Sequence, residues 1–194
     1  MKNIVLASNN KHKIIEIKEM LEPLGFNVLS LFDIGFNDEI IENGSTFKEN
    51  SMIKALAVKN RTSYPVIADD SGLSVDCLDG APGVHSHRFA SEFATDKENR
   101  DKLISILKEK NLSHYPAHFV TAMTYINGDK VITKEGYVYG EIILDERGTH
   151  GFGYDPIFYL KDRNKTMSEL TDSEKNEISH RHNALIKLIE AIKE

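Results

Sequence analysis

The spacing of apolar and polar residues predicts a chain that alternates between strands and helices. An apolar run at residues 3–8 predicts a buried strand. Helical spacing follows, and Gly25 is placed to end that helix. Further strands are predicted at residues 26–31, 65–69, 72–78, 118–126 and 131–144, the last two as a hairpin across an Asn-Gly-Asp turn.

Three later helices are marked by a Thr followed three residues on by a Glu, the capping-box pattern. These pairs are Thr46/Glu49, Thr95/Glu98 and Thr171/Glu174. The predicted apolar faces are Ile14, Ile17, Leu21 and Leu24 in the first helix, Ile53, Leu56 and Ala57 in the second, Leu103, Ile104 and Leu107 in the third, and Leu185, Leu188, Ile189 and Ile192 at the C-terminus. The resulting order β-α-β-α-β-β-α-β-β-α favours an α/β protein built on a mixed sheet.

Composition narrows the class of protein. A length of 194 residues predicts a single domain over residues 1–194. The only cysteine, Cys77, rules out an internal disulfide and a cysteine-based metal site, and it fits a reducing compartment. With no signal-peptide pattern and no apolar run of the ~18 to 20 residues that a membrane span needs, we expect a cytoplasmic protein with no membrane partner.

The charge balance argues against a general nucleic-acid binder. The chain carries 30 acidic and 24 basic residues, for a net charge of -6, and shows no basic block. An anionic ligand would therefore be attracted by a few placed cations and a metal rather than by the overall field.

The first candidate for chemistry is LASNNKHK, where a strand leads through a polar turn into a helix. Backbone N–H groups at a helix N-terminus suit an anion, and Ser8, Asn9 and Asn10 add side-chain donors. Lys13, one turn further, can reach the same anion. The alternative is an ordinary helix cap by Asn9 or Asn10 beside a solvated lysine.

The second candidate is an acidic set, Glu39, Glu42, Asp69 and Asp70. Carboxylates without cysteine suit a hard cation, above all Mg²⁺. The alternative is that the glutamates lie in a solvated loop and that Asp69 and Asp70 begin a turn at Ser-Gly. In a strand the two aspartates would face opposite ways, so they need not act together.

Further segments could also carry chemistry. GFGYDP, at residues 151–156, can bring backbone close to a planar ligand with an aromatic ring for stacking, or it is a glycine-rich hairpin loop. Lys175 and Arg181, just ahead of the apolar face of the C-terminal helix, suit phosphate. His85 and His87 could share one side of a strand, although a surface or packing role is the favoured interpretation. Cys77 is most simply a small core residue.

Taken together, five segments resemble the inosine triphosphate pyrophosphatase family, over about residues 4–190. In chain order they are SNNKHK, ENGSTFKENSMIKA, ADDSGLSVDCLDGAPGVHSHRF, GFGYDPIF and SEKNEISHR. The resemblance implies hydrolysis of ITP, dITP and XTP to the monophosphate and pyrophosphate. It also implies a long mixed β-sheet flanked by helices, two lobes around an active-site cleft, and a homodimer.

The resemblance also implies roles for individual residues. Glu42 and Asp70 would bind Mg²⁺, and Asp70 would be the catalytic base for attack of water on the α-phosphate. The substrate would be bound by Ser8, Asn9, Asn10, Lys13, Lys54, Ser71, Phe152, Gly153, Tyr154, Asp155, Lys175, His180 and Arg181. The sequence departs from the family at Asn9, where many relatives have glycine, and at His85 and His87, whose positions are more often aromatic or small.

Three other functions stay open at this point. A related pyrophosphatase would act on pyrimidine or modified standard nucleotides. A nucleotide sensor would bind without releasing pyrophosphate, which the acidic set argues against. A phosphatase with an aspartate nucleophile would normally need an Asp-x-Asp pattern, which ADDSG lacks.

Overall fold

The structure is a computed structural model that describes residues 2–193. Its sheet has seven strands in the order β2-β1-β3-β4-β5-β6-β7. The strands are β1 Lys2–Leu6, β2 Phe26–Leu29, β3 Val66–Val75, β4 Pro116–Asn127, β5 Lys130–Ile142, β6 Phe158–Leu160 and β7 Lys165–Thr166. β1 pairs in parallel with β2 and β3, whereas β6 pairs antiparallel with β5 and β7, so the sheet is mixed as predicted.

Helices flank this sheet. They are α1 Lys11–Leu21, α2 Phe47–Lys59, α3 Asp96–Lys110, α4 Asp172–Ile178 and α5 His180–Lys193. The three predicted capping boxes are all present, at Thr46, Thr95 and Thr171. Gly25 follows the short turn after α1 in the left-handed conformation, with φ 84°, which ends the helix as predicted.

The chain forms two compact units that share strands β3, β4 and β5. The first unit takes in the chain up to Ser71, residues Thr121–Gly136 and the chain from His180 onward. The second consists of Gly72–Val120 and Tyr137–Ser179. The predicted single domain and the predicted cleft between lobes stay predictions.

The first unit packs apolar side chains on both faces of its strands. On β1, Ile4 and Leu6 join a cluster with Ile17 of α1 and Leu185 of α5. Val5, between them, joins a different cluster, which contains residues of α2 and β3. Since successive side chains of a strand point to opposite faces, β1 is buried on both, which explains its unbroken apolar run.

The second unit has one apolar cluster beneath α3. Leu103 and Leu107 of that helix pack with residues of β3, β4, β5 and β6, and Ile104 packs against the same cluster. The partly buried Cys77 also packs there, as expected of a small apolar residue.

Several local predictions were wrong. The predicted strands 65–69 and 72–78 are one strand, β3, which runs through Ser71 and Gly72 without a turn. The short strands β6 and β7 were not predicted. Leu24, assigned to the inner face of the first helix, is 54% exposed, because the helix tightens into a short 3₁₀ turn at Glu22–Leu24.

The inward face of α2 was also predicted wrongly. Leu56 is 46% exposed, and Ile53 and Ala57 are only partly buried. The buried residues of this helix are Asn50, Ser51, Lys54, Ala55 and Val58. Two of them, Asn50 and Lys54, lie four residues apart on one face, and both contact carboxylates of the candidate site.

Among residues 2–193, no helix is long and apolar enough to span a membrane.

Candidate functional site

The turn after β1 is organised by Asn10. Its Oδ1 accepts hydrogen bonds from the backbone N–H groups of His12 (3.0 Å) and Lys13 (3.2 Å), which caps α1. Ser8 Oγ in turn accepts from the backbone N–H of Asn10 at 3.2 Å. Asn9 is exposed at the tip of this turn. The cap that the alternative interpretation expected is therefore present, and Asn10 provides it.

Lys13, however, is not a solvated lysine. Its Nζ lies 2.8 Å from Oδ2 of Asp69, whose side chain is fully buried on β3. Burial lowers the pKa of Lys13 from its usual value, and the carboxylate of Asp69 opposes this shift only in part. The cap of α1 and this ion pair together hold the lysine where α1 begins.

Asp69 also faces the guanidinium of Arg181, the second residue of α5, with Nε 3.7 Å from Oδ2. Burial would raise the pKa of Asp69, but Lys13 and Arg181 outweigh it and hold the pKa at about 2. Asp69 is therefore ionised at neutral pH. Its negative charge pairs with Lys13 near the start of α1 and with Arg181 near the start of α5.

Arg181 is itself tightly held. Its Nη1 donates to Oε2 of Glu16 at 2.8 Å, and its Nη2 donates to Oγ of Ser71 at 3.1 Å. The guanidinium thus links α1 and β3. Ser71 and Arg181, both predicted to contact substrate, are brought together in the first unit.

Asp70 has a different set of partners, as strand alternation predicted. Its Oδ2 accepts from Nδ2 of Asn50 at 3.0 Å, and its backbone carbonyl accepts from Oγ1 of Thr121 at 3.1 Å. Asn50 Oδ1 accepts from the backbone N–H of Gly44 at 2.8 Å, which fixes the orientation of the amide. A side chain at position 44 would collide with Asn50, since an added Cβ would lie 2.7 Å from its Oδ1. Asp70 is therefore positioned by both β3 and α2.

Lys54 lies between Asp70 and Glu42. Its Nζ is 2.8 Å from Oε2 of Glu42 and 3.5 Å from Oδ1 of Asp70. Burial raises the pKa of Asp70 above its usual value, and Lys54 offsets this only in part. Burial lowers the pKa of Lys54, but Asp70 and the other nearby carboxylates outweigh it, so the lysine stays charged. The positive charge of Lys54 therefore offsets the burial of the Asp70 carboxylate only in part.

These carboxylates fit the predicted Mg²⁺ in number and chemistry. Glu42 and Asp70 converge on one point, the ammonium of Lys54, and Mg²⁺ usually takes one or two carboxylates together with waters and phosphate oxygens. Within residues 2–193 no group of three or more His, Cys, Asp or Glu side chains could enclose a metal alone. Glu39, the other member of the predicted acidic set, is exposed. Glu42 and Asp70 are therefore the two carboxylates that would hold the ion.

The glycine-rich loop of the second unit is built around Asp155. Its Oδ2 accepts from the backbone N–H of Phe152 at 3.0 Å and lies 2.9 Å from Nζ of Lys175 on α4. The same ammonium lies 4.6 Å from the centroid of the Phe152 ring, within cation–π range. Gly151, with φ 78°, permits this arrangement, because an added Cβ would lie 2.2 Å from Oδ2 of Asp155.

Residues from α3 and an adjacent turn hold the other end of this loop. Gly153 N–H donates to Asp96 at 2.7 Å, and its carbonyl accepts from Nη1 of Arg100 at 2.7 Å. The hydroxyl of Tyr154 donates to the carbonyl of Ser86 at 2.8 Å, and burial raises the pKa of this phenol, so it stays a donor. Four predicted residues, Phe152 to Asp155, thus form one ordered loop with Lys175.

The two histidines of HSH are not on a strand. Residues Gly83–Arg88 form a 3₁₀ helix, on which His85 and His87 are both exposed, as the favoured surface interpretation expected. His180, by contrast, is the buried first residue of α5.

Sequence reasoning missed Glu16 and Asn50. Both are buried, and each contacts a predicted site residue, Arg181 or Asp70. The available signal was helical spacing: Glu16 lies three residues after Lys13, and Asn50 four before Lys54, so each shares a helix face with a predicted residue.

The fold and these groups define an α/β protein whose first unit buries two adjacent aspartates paired with Lys13, Lys54 and Arg181. The Ham1 family model matches residues 4–191, and the chain belongs to this family.

Relatives of known name and structure match the chain over nearly its whole length. A dITP/XTP pyrophosphatase of Bacillus subtilis (strain 168) is 50% identical over 189 residues, covering 97% of this chain and 96% of the relative. One from Clostridium perfringens (strain 13 / Type A) is 43% identical over 201 residues, covering 100% and 98%. The HAM1 protein from Coxiella burnetii has a TM-score of 0.91 at 39% identity, covering 100% of this chain and 99% of that one. The Staphylococcus aureus Ham1 protein has a TM-score of 0.88 at 38% identity, covering 99% and 98%.

Proposed function

We propose that this protein hydrolyses non-standard purine nucleoside triphosphates, dITP, XTP and ITP, to the nucleoside monophosphate and pyrophosphate. The observation that carries the proposal is Asp70, a buried carboxylate with a raised pKa that Asn50 orients toward Glu42 and Lys54. Relatives that match 97–100% of this chain at 43–50% identity are named dITP/XTP pyrophosphatase.

Asp70 is suited to accept a proton from the attacking water. A general base works best when its pKa lies near the working pH, and burial moves the pKa of Asp70 in that direction. The amide of Asn50 binds Oδ2, so Oδ1, which lies 3.5 Å from Nζ of Lys54, would be the oxygen that contacts the water or the metal. Asp69, whose pKa is about 2, is a poor proton acceptor and serves instead to hold Lys13.

Glu42 and Asp70 would hold the Mg²⁺. The ion would supply positive charge that neutralises phosphate oxygens. The chain's own cations would add to this: Lys13, Lys54 and Lys175 would stabilise negative charge on the phosphates and the leaving pyrophosphate. Each of these lysines is already paired with a carboxylate, Asp69, Glu42 or Asp155, which limits its movement.

Recognition of the base would rest on a stacking ring and on hydrogen-bond donors. Phe152, held beside Lys175, offers the ring. His180, Arg181 or backbone N–H groups would donate to the 6-oxo group, which is an acceptor where adenine presents a donor. A site built on such bonds can discriminate by ~10⁴ or more, because the wrong base leaves buried donors unpaired.

A panel of dITP, XTP, ITP, ATP, GTP, UTP and CTP with product identification tests the proposal. We expect pyrophosphate, with the highest kcat/KM for dITP, XTP and ITP and a strict need for Mg²⁺. Release of inorganic phosphate would contradict the reaction. Faster turnover of UTP or CTP would instead assign the chain to a related pyrophosphatase for pyrimidine nucleotides.

We also propose a cytoplasmic location for this activity. A single cysteine excludes internal disulfides and suits a reducing compartment. Cell fractionation with detection of the native protein tests this, and recovery outside the cytoplasmic fraction would contradict it.

A further inference from the structure

The ammonium of Lys54 occupies the point on which the two proposed metal ligands converge. It lies 2.8 Å from Oε2 of Glu42 and 3.5 Å from Oδ1 of Asp70, and the residue is only 8% exposed. A divalent cation that bound both carboxylates would need the same space. The lysine and the metal are therefore competitors in the protein without nucleotide.

We propose that Lys54 is the internal counter-ion of Glu42 and Asp70 in the nucleotide-free protein, and that a divalent cation must displace it to bind both. The identity of the incoming ligand rests on the proposed function; the competition itself rests on the contacts of Lys54. The consequence is an order of events: the free protein binds a divalent ion weakly, and the ion enters together with a polyphosphate.

The side chains of Asp70, Glu42 and Lys54 differ in how freely they can move. Asp70 is fixed by β3 and by the amide of Asn50. Glu42 lies in the segment before α2, with 35% of its side chain exposed, and Lys54 has a flexible four-carbon stem. Displacement therefore requires only the ammonium and Glu42 to move while Asp70 stays in place.

A polyphosphate makes the displacement favourable. Moving a buried ammonium away from two carboxylates is costly unless it finds another anion. Phosphate oxygens of the incoming ligand offer that partner, so the same lysine can leave the carboxylates and contact the ligand. A bare ion brings no such partner, which explains why it would bind less well.

Direct binding of Mn²⁺ to the nucleotide-free protein, followed by electron paramagnetic resonance, tests the proposal without any catalytic readout. We expect Lys54→Met to bind free Mn²⁺ at least about tenfold more tightly than the unmodified protein, because a unit positive charge has left the site. Lys54→Gln, whose amide can still donate to Glu42, should show a gain in the same direction. This second variant keeps the test independent of whether the apolar substitution folds.

Lys48→Met is the matched control. Lys48 is also on α2 and also pairs with a glutamate, Glu135, but its side chain is 58% exposed. The substitution removes the same charge from the same helix, so its Mn²⁺ affinity should stay within about twofold of the unmodified protein, since exposed charges are strongly screened. An equal gain in Lys48→Met would reveal a mere change in overall charge and overturn the proposal.

Unchanged or weaker Mn²⁺ binding in both Lys54 variants would also overturn it, because Lys54 would then be a permanent part of the site. The nucleotide panel separates this result from the reaction. If the unmodified protein releases no pyrophosphate, the proposed function fails, yet tighter Mn²⁺ binding by the Lys54 variants would still support the counter-ion role. If pyrophosphate is released and the variants gain no affinity, only the counter-ion role fails.

Discussion

Asp69 and Asp70 are adjacent on one strand, yet their surroundings move their pKa values in opposite directions. Asp69 lies between Lys13 and Arg181, which hold its pKa at about 2. Burial raises the pKa of Asp70, because Lys54 and the amide of Asn50 offset the effect of burial only in part. The two carboxylates are thus chemically distinct, and matched substitutions should separate them.

Asp70→Asn should reduce pyrophosphate release by at least about 100-fold, the contribution expected of a general base. Its stability should not fall, because burial already disfavours the charged form of Asp70 and the amide is neutral. Initial rates and urea unfolding at neutral pH measure the two effects. Activity within a few-fold of the unmodified protein would show that Asp70 is not the base.

Asp69→Asn should have its main effect on stability. A carboxylate whose pKa falls from 3.8 to about 2 on folding contributes about 2 kcal/mol to the free energy of unfolding at neutral pH. Because the folded-state pKa is the lower one, this contribution is present above about pH 4 and is lost as the pH falls toward 2.

Urea unfolding of Asp69→Asn and of the unmodified protein across this pH range measures the difference, which should shrink on acidification. Asp70→Asn is the control, since it makes the same chemical change at the next residue, where folding raises the pKa of the carboxylate instead of lowering it. Equal stability of Asp69→Asn and the unmodified protein at pH 7 would show that the ion pairs contribute nothing.

Arg181→Ala should lower the preference for ITP over ATP, since arginine is a donor only and suits a 6-oxo group. Glu16→Gln is the control that leaves the guanidinium in place while weakening one of its contacts. The ratio of kcat/KM for the two nucleotides is the measurement. A ratio unchanged in Arg181→Ala would exclude this residue from base recognition.

At the scale of elements, the candidate site determines which face of α2 is buried. Its apolar residues Ile53, Leu56 and Ala57 form the face that periodicity would bury, yet Leu56 is exposed. The helix instead turns Asn50 and Lys54 inward, because Asp70 and Glu42 are there to pair with them. Burying such groups without partners would be costly, so the rotation of α2 depends on carboxylates distant in sequence.

The conformation of the loop before β6 depends on one glycine, Gly151. Gly151→Ala would place a Cβ 2.2 Å from Oδ2 of Asp155, the atom that contacts Lys175 and the N–H of Phe152. We expect kcat/KM to fall on the order of 10- to 100-fold, because displacement of a binding group by about 1 Å has effects of this size.

Gly153→Ala is the matched control for that loop. Gly153 also has a positive φ, 61°, but an added Cβ there meets nothing within 4 Å. Both variants carry the backbone strain of a non-glycine residue, and only Gly151→Ala has the collision. Similar losses in the two would attribute the effect to strain and not to the displacement of Asp155.

At the scale of the whole molecule, the resemblance of the sequence to its family predicts a homodimer. Several large apolar side chains are exposed on the single chain, among them Phe93 (94%), Phe32 (86%) and Ile41 (72%). We expect light scattering on the eluting protein to report the mass of two chains at micromolar concentrations. The mass of one chain over a wide range of concentrations would show that the protein is a monomer.

Local signals in the sequence were enough for much of this architecture. The capping boxes at Thr46, Thr95 and Thr171, the cap glycine Gly25 and the Asn-Gly-Asp hairpin are governed by residues a few positions apart, and each is present where predicted. The mixed sheet follows from the order of those elements, and the family follows from motifs spread along the chain.

Tertiary contacts decided the rest. Taken alone, Asp69 and Asp70 before Ser-Gly slightly favoured a turn. Instead β3 runs straight through them, and Lys13, Arg181 and Lys54 reach the two carboxylates from α1, α5 and α2. The sequence by itself determined which local elements form, since propensity and capping act over a few residues. Only the folded chain decided that the pKa of Asp69 is lowered, that the pKa of Asp70 is raised and which face of α2 is buried. The reason is that electrostatic energies in a buried site depend on groups brought together from distant parts of the sequence.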